Sequence, residues 1–348
     1  MMKRAKLLLA VGLCLLVPGR VALCEEGWKL VMHKNGVDAY SRHVEGSAFM
    51  EVRAVTVIPA SLDVLAQVLR DVPNHKKWRP FCKLSSVVRQ PDPFTMIVYD
   101  VESMPWPLTD RDEVLRCEII VDKEKARGVG RLTPAEDPDA PVRKDRVRVT
   151  DFYAHYILQY LGKDRTGLVF TTRVNPGGRL PAFLVNGFSK YYAYSQLLAL
   201  KKSVKDPYYI EQAKKSLDRQ IIEKALADKS QRKAVFFAIL GEFIKDKGFI
   251  EMIVSDAQLF NETFQGGLES GDMGEILLYG WGSHKAKKQA TASLLKEYLK
   301  LRTKDQGLVQ KITTDDALLD AIVTGTHCSG KSARDIIASY LGTLAKAP

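Results

Sequence analysis

The chain has 348 residues, 46% of them hydrophobic and 27% charged. That is the composition of a folded globular protein of one to three domains, and it excludes a disordered one. The net charge of +11 at pH 7 favours anionic surfaces, lipid headgroups among them, but no basic, aromatic-interleaved motif points to nucleic acid.

The first residues read as a targeting signal. Lys3, Arg4 and Lys6 precede an apolar run from Leu7 to Val17 that Pro18 and Gly19 break, which is a charged n-region followed by an h-region. The run is too short for a membrane span. Cleavage is expected after Cys24 or nearer Ala22, and Leu23 fits poorly before a lipid-anchored cysteine. The mature protein is therefore expected to be soluble and exported, to a periplasm or outside the cell. Losing Lys3, Arg4, Lys6 and Arg20 leaves 48 of the 52 basic residues against 41 acidic ones, about +7. Cys82, Cys117 and Cys328 form no disulfide framework, although an oxidising compartment would permit a Cys82–Cys117 bond.

Residues 28–57 read as strands, with Asn35-Gly36 as the turn between the first two and Ala48 to Ile58 as the third. Ser61 is expected to cap a helix carrying Leu62, Leu65, Val68 and Leu69, which Pro73 stops. Strands are expected at Leu84–Arg89, Phe94–Val101, Glu113–Val121, Arg146–Tyr156 and Gly167–Asn175, and short turns between them imply an antiparallel sheet. Pro105 and Pro107 flank Trp106 in a stiff loop that Arg111 and Asp112 close. After Asn175-Pro-Gly-Gly, residues Arg179 to Lys202 read as one long helix with a stripe of Leu184, Phe188, Tyr191, Ser195 and Leu198, widened by Val185 and Tyr192. The class is α+β, a curved sheet with a helix across its mouth. From Asp206-Pro207 the chain reads as helical, with segments near 207–228, 231–247, 249–264, 284–302, 314–323 and 332–345 and a glycine-rich break at Gly266–Gly282. The expected domains are a signal at 1–24, a sheet domain at 25–205 and a helical domain at 206–348.

Several pieces in order give a resemblance: Gly27-Trp28, then Asn35-Gly36-Val37-x-x-Tyr40-x-Arg42; Trp78; Tyr99 leading into Met104-Pro-Trp-Pro-Leu-x-x-Arg111-Asp112; Pro176-Gly-Gly-x-Leu-Pro181; and Asn186. Residues 27–204 resemble the lipid-transfer START domain family, a helix-grip fold. The resemblance implies a nine-stranded antiparallel sheet gripped by the last helix around a tunnel for one lipid, with the 102–110 loop as its gate. Steroid-binding members keep an acid and an arginine in the cavity. Asp100 matches the acid, whereas Cys117 stands where the arginine would fall and Arg116 beside it points to the other face.

The candidate ligand-binding residues are Asp100, Trp106, Cys117, His155, Leu184, Phe188 and Tyr192. Arg111 and Asp112 are read as loop anchors. Trp106 either meets lipid or headgroups, or packs on Leu184 and Phe188. No catalytic residue, cofactor or metal is assigned, since the six histidines lack ligand spacing. Gly325–Ser332 matches the pattern G-x-x-x-x-G-K-S, but it is read as a loop with Ser332-x-x-Asp335 capping the last helix. The run Arg143–Arg148 is read as a solvated face or strand end.

These readings converge on an exported protein that binds or transfers a lipid, touches membranes transiently and makes or breaks no bond. One alternative is a cyclase-type enzyme, which needs Asp100, His155 and Cys117 within mutual reach. The other is an adaptor whose residues 206–348 bind a protein partner and whose cavity is filled.

Overall fold

A computed structural model describes residues 27–216, 218–260, 271–328 and 330–344. The expected signal at 1–24 lies outside these residues. Ten strands form one sheet: β1 (Lys29–Lys34), β2 (Val37–Arg42), β3 (Glu51–Ile58), β4 (Cys82–Asp92), β5 (Thr95–Glu102), β6 (Arg111–Asp122), β7 (Arg127–Pro134), β8 (Val147–Arg148), β9 (Asp151–Tyr160) and β10 (Thr166–Asn175). Nine of them follow the order β1-β2-β3-β10-β9-β7-β6-β5-β4, each antiparallel to its neighbour. The tenth, β8, adds a two-residue parallel pairing to Arg111 and Asp112 of β6.

Local chemistry accounts for most of the boundaries. Asn35 and Gly36 both have positive φ, 54° and 64°, as a tight hairpin turn between right-twisted strands demands. Helix α1 (Leu62–Arg70) starts after Ser61, but the Ser61 side chain makes no capping bond. The next helix, α2 (His75–Trp78), leads into β4. Strand β7 was not anticipated, because Gly128 and Gly130 break its apolar signal. Helix α3 spans Ala182–Ser203 and begins after Pro181, three residues later than the apolar periodicity suggests. Its most buried residues are Val185, Ser189, Ala193, Tyr194, Gln196, Leu197 and Leu200. The expected stripe is thus displaced by about one position, and Leu184, Phe188 and Tyr191 stay partly exposed. Asn186 fastens α3 to the start of β3, accepting from Met50 N at 2.8 Å and donating to Ala48 O at 3.2 Å.

Among the described residues ten further helices follow: α4 (Pro207–Ala213), α5 (Asp218–Ala225), α6 (Lys229–Leu240), α7 (Lys247–Ser255), α8 (Ala257–Leu259), α9 (Gly271–Tyr279), α10 (His284–Lys300), α11 (Gln306–Thr313), α12 (Asp316–Thr324) and α13 (Ala333–Leu344). Acidic caps open many of them; Asp206, for instance, accepts from Tyr208 N with Pro207 in the first helical position. Within the expected glycine-rich break at Gly266–Gly282, the described residues 271–279 are helical. Gly325–Ser332 follows a helix and not a strand, with Gly325 at φ 73° ending α12. Ser332 accepts from Asp335 N and donates to its carboxylate, the helix-capping role expected of the pair.

The helices after α3 pack back on the sheet domain. One hydrophobic cluster runs without a break from Leu65, Phe170 and Leu197 to Phe236, Phe249 and Leu295. A second joins the two halves across the convex face of the sheet, where Leu278 and Trp281 meet Trp28, Tyr40, Val55 and Val169. Polar contacts frame this seam. Arg53 donates to Trp281 O at 2.8 Å, and Glu242 accepts from Trp281 Nε1 and Arg127 Nη1, both at 3.0 Å.

Candidate functional site: an apolar cavity with a charged floor

The concave face of the sheet and α3 do not close into a solid core. They enclose a cavity of about 580 Å³, lined chiefly by apolar side chains including Leu115, Phe152, Phe170, Leu184, Val185 and Tyr192. That is within the usual range for small-molecule sites. A smaller chamber of about 110 Å³ lies beneath α1, and Arg79, Leu132 and Tyr156 line both spaces. Ile222 of α5 forms part of its wall, so the helical half reaches the inner end of the cavity.

Met104, Pro105 and Leu108 of the 102–110 loop line the mouth opposite Leu180 and Phe188. Asp110 closes the loop by accepting from Met104 N at 3.1 Å and from Lys83 at 2.8 Å. Arg111 donates to Thr109 O at 2.5 Å and Pro176 O at 3.3 Å, tying the loop to the approach to α3. Asp112 is fully buried. Its two oxygens take a forked pair of bonds from Arg148, each 3.0 Å, and Tyr99 OH donates at 3.0 Å. The Arg143–Arg148 run is therefore not merely solvated, since Arg146 also donates to Tyr99 OH at 2.8 Å.

Trp106 is 93% exposed and packs on neither Leu184 nor Phe188. Phe188 contacts Phe81 at 4.9 Å between ring centroids and stacks on Tyr192 at 6.2 Å. Tyr192 reaches Phe170 at 6.5 Å. Burial holds its phenol well above the ordinary value.

Asp100 lies inside, but its partner is an arginine that the sequence did not single out. Arg79, directly after α2, donates to Asp100 Oδ2 at 2.6 Å and to Glu102 Oε1 at 2.5 Å. Ser85 donates to Asp100 Oδ1 at 2.5 Å. Burial alone would lower the Arg79 guanidinium, yet the two carboxylates raise it well above its ordinary value. Cys117 lines the inner chamber, and burial pushes its thiol up to about 12. Cys82 and Cys117 are both free thiols.

His155 turns away from the cavity, correcting its place among the cavity residues. Its neighbour Tyr156 faces inward, and strand alternation sends His155 to the convex side beside Arg127 and Arg131. Burial and these arginines lower its imidazole to about 4. Asp100, His155 and Cys117 are thus not brought together. Among the described residues, no group of three or more His, Cys, Asp or Glu could hold a metal ion.

The second residue missed is Glu113. It faces inward on β6, 7% exposed, and lines the cavity. Burial, reinforced by Glu102 and Asp100, pushes its carboxyl up to about 8. A raised acid binds its proton more tightly folded than unfolded. Stability therefore falls as pH rises between the unfolded value of about 4.5 and about 8. Glu113→Gln is expected to gain stability over wild type above that window and to gain none below it. Denaturant unfolding at both ends checks this, and an equal gain at both would contradict it.

The architecture is that of a helix-grip protein holding an apolar cavity with the 102–110 loop at its mouth. The START domain family model matches residues 19–205, and this chain belongs to that family. It is 31% identical over 165 residues to an uncharacterised protein of Pseudomonas aeruginosa, covering 47% of this chain and 79% of that one. It is 24% identical to bovine phosphatidylcholine transfer protein, covering 49% and 81%. Among solved structures, a STAR-related lipid transfer protein from Xanthomonas axonopodis aligns with a TM-score of 0.49 and 26% identity, over 52% of this chain and all of that one. The family match ends before α4.

Proposed function

We propose that this protein binds one lipid in the gated cavity and exchanges it with membranes after export from the cell. The cavity itself carries the reading. An apolar space of about 580 Å³ under a structured loop suits an acyl chain or similar hydrocarbon, which gains about 0.8 kcal/mol per methylene withdrawn from water. Its open volume also weighs against an adaptor with a filled cavity. Phosphatidylcholine transfer protein, a relative, carries lipid by name.

The rim supplies the membrane contact. Trp106 is 93% exposed, Phe183 73% and Leu184 54%, and such a cluster of large apolar side chains on a soluble surface marks an interaction site. An amphipathic indole is suited to the headgroup region. On this reading the loop and the start of α3 dip into the interface, part from one another, and let the lipid pass.

Native mass spectrometry with lipid extraction, on protein from its own host, should find one lipid per chain. No lipid together with no transfer between vesicles would remove the proposal. Trp106→Ala should slow transfer by roughly three- to tenfold. It should leave the unfolding midpoint in place, since so exposed a side chain contributes little to stability. An unchanged rate would take Trp106 out of the mechanism.

A further inference from the structure

The large cavity borders a second space beyond its charged floor. Arg79, Leu132 and Tyr156 line both it and the chamber of about 110 Å³ beneath α1. Asp100 lines the inner chamber and Glu102 the outer one, so the Arg79 ion pairs stand where the two meet. Leu132 and the Tyr156 ring supply the apolar part of that junction. Past it the wall is mainly hydrocarbon, with Leu62, Ala66 and Leu69 from α1 and Leu158 from β9.

The helical half contributes to this chamber and not to the outer one. Among the described lining residues, Ile222 of α5 alone comes from beyond the family match, which stops at residue 205. Ile222 is fully buried and belongs to the hydrophobic cluster that spans both halves. Its place is held from α1, on which α4 and α5 both pack. Tyr209 of α4, itself buried, donates to Asp71 Oδ2 at 3.1 Å where α1 ends.

We propose that Ile222 is the end stop of the cavity, the residue that sets the longest hydrocarbon chain the protein accepts. The inference rests on the lipid-binding reading above and names what selects among the ligands of that site. A chain that passes the Arg79 junction withdraws further methylenes from water, each adding about fourfold in affinity. At Ile222 it meets a branched side chain packed into a continuous core. Such a core yields little to an intruding group, so longer chains must leave their extra methylenes outside or force the packing apart.

The test uses the full chain and a graded series of monoacylglycerols, from medium to long chain, below their micelle concentrations. Calorimetric titration of wild type should show affinity climbing about fourfold per methylene and then breaking off at one chain length. Ile222→Ala should move that break to chains about two methylenes longer, and Ile222→Val to chains about one longer, with shorter chains binding as before. Should Ile222→Ala fail to fold, the milder Ile222→Val decides the matter. A break that stays in place in the folded variants, an equal loss of affinity at every length, or a wild-type climb without a break overturns the end stop and leaves lipid binding standing. Failure of the whole series to bind wild type overturns both.

Discussion

Arg79→Met is expected to cost about 3–5 kcal/mol of folding stability near neutral pH, because removing one member of a buried ion pair strands the others. Arg79 and Asp100 are 8% and 1% exposed at their side chains, so water cannot replace the guanidinium. The loss should shrink in acid. Without Arg79, Asp100 and Glu102 can be buried only as neutral acids, and lowering the pH supplies their protons. Denaturant unfolding of wild type and variant at about pH 7 and about pH 4 measures both effects. A loss below about 1 kcal/mol, or one of the same size at both pH values, would show that the arginine merely packs.

Trp281→Ala is expected to cost about 3–5 kcal/mol, the usual penalty for emptying a large buried aromatic site. Trp281 joins the convex sheet face to the helical half through Trp28, Tyr40 and Val55, and its indole donates to Glu242. Since one hydrophobic cluster spans both halves, wild type should unfold in a single transition. The variant should lower the midpoint of that transition for both halves together. Probes placed in the sheet and in α10 can be followed together during unfolding. Loss of structure confined to the helical half, with the sheet unmoved, would mean that the seam transmits no stability.

The fold of residues 27–205 was legible because its signals are local. Asn35-Gly36 sets a turn, Pro105 and Pro107 mark a loop between two strands, and strands separated by short turns build an antiparallel sheet. The parts of the site that escaped have long-range causes. Arg79 reads as one of three basic residues around Trp78, and nothing near it in sequence announces a carboxylate 21 positions further on. Glu113 was within reach. Once Cys117 is placed inward on β6, alternation places Glu113 and Arg111 inward too.

His155 failed for the opposite reason. Around it, Tyr153 and Ile157 on one face are as apolar as Ala154, Tyr156 and Leu158 on the other. The helical half covers part of the convex side, so β9 is apolar on both faces and period-two patterning cannot choose between them. The displaced stripe on α3 has a similar origin. That helix is apolar around much of its circumference because one side faces the cavity and the other the mouth.

Helices on the convex side have a mechanical consequence. A sheet with one free face can flatten or curl to suit what it holds, but Trp281 and Leu278 bear on β3 and β10 from behind while α3 bears on them from the front. The curvature of that wall is clamped, and the bore of the cavity with it. On the lipid-exchange proposal, movement would then be left to the loop and the first turns of α3, a door in a rigid frame. A lipid carried in this way would be selected by length and girth, since the wall would not mould itself to each one.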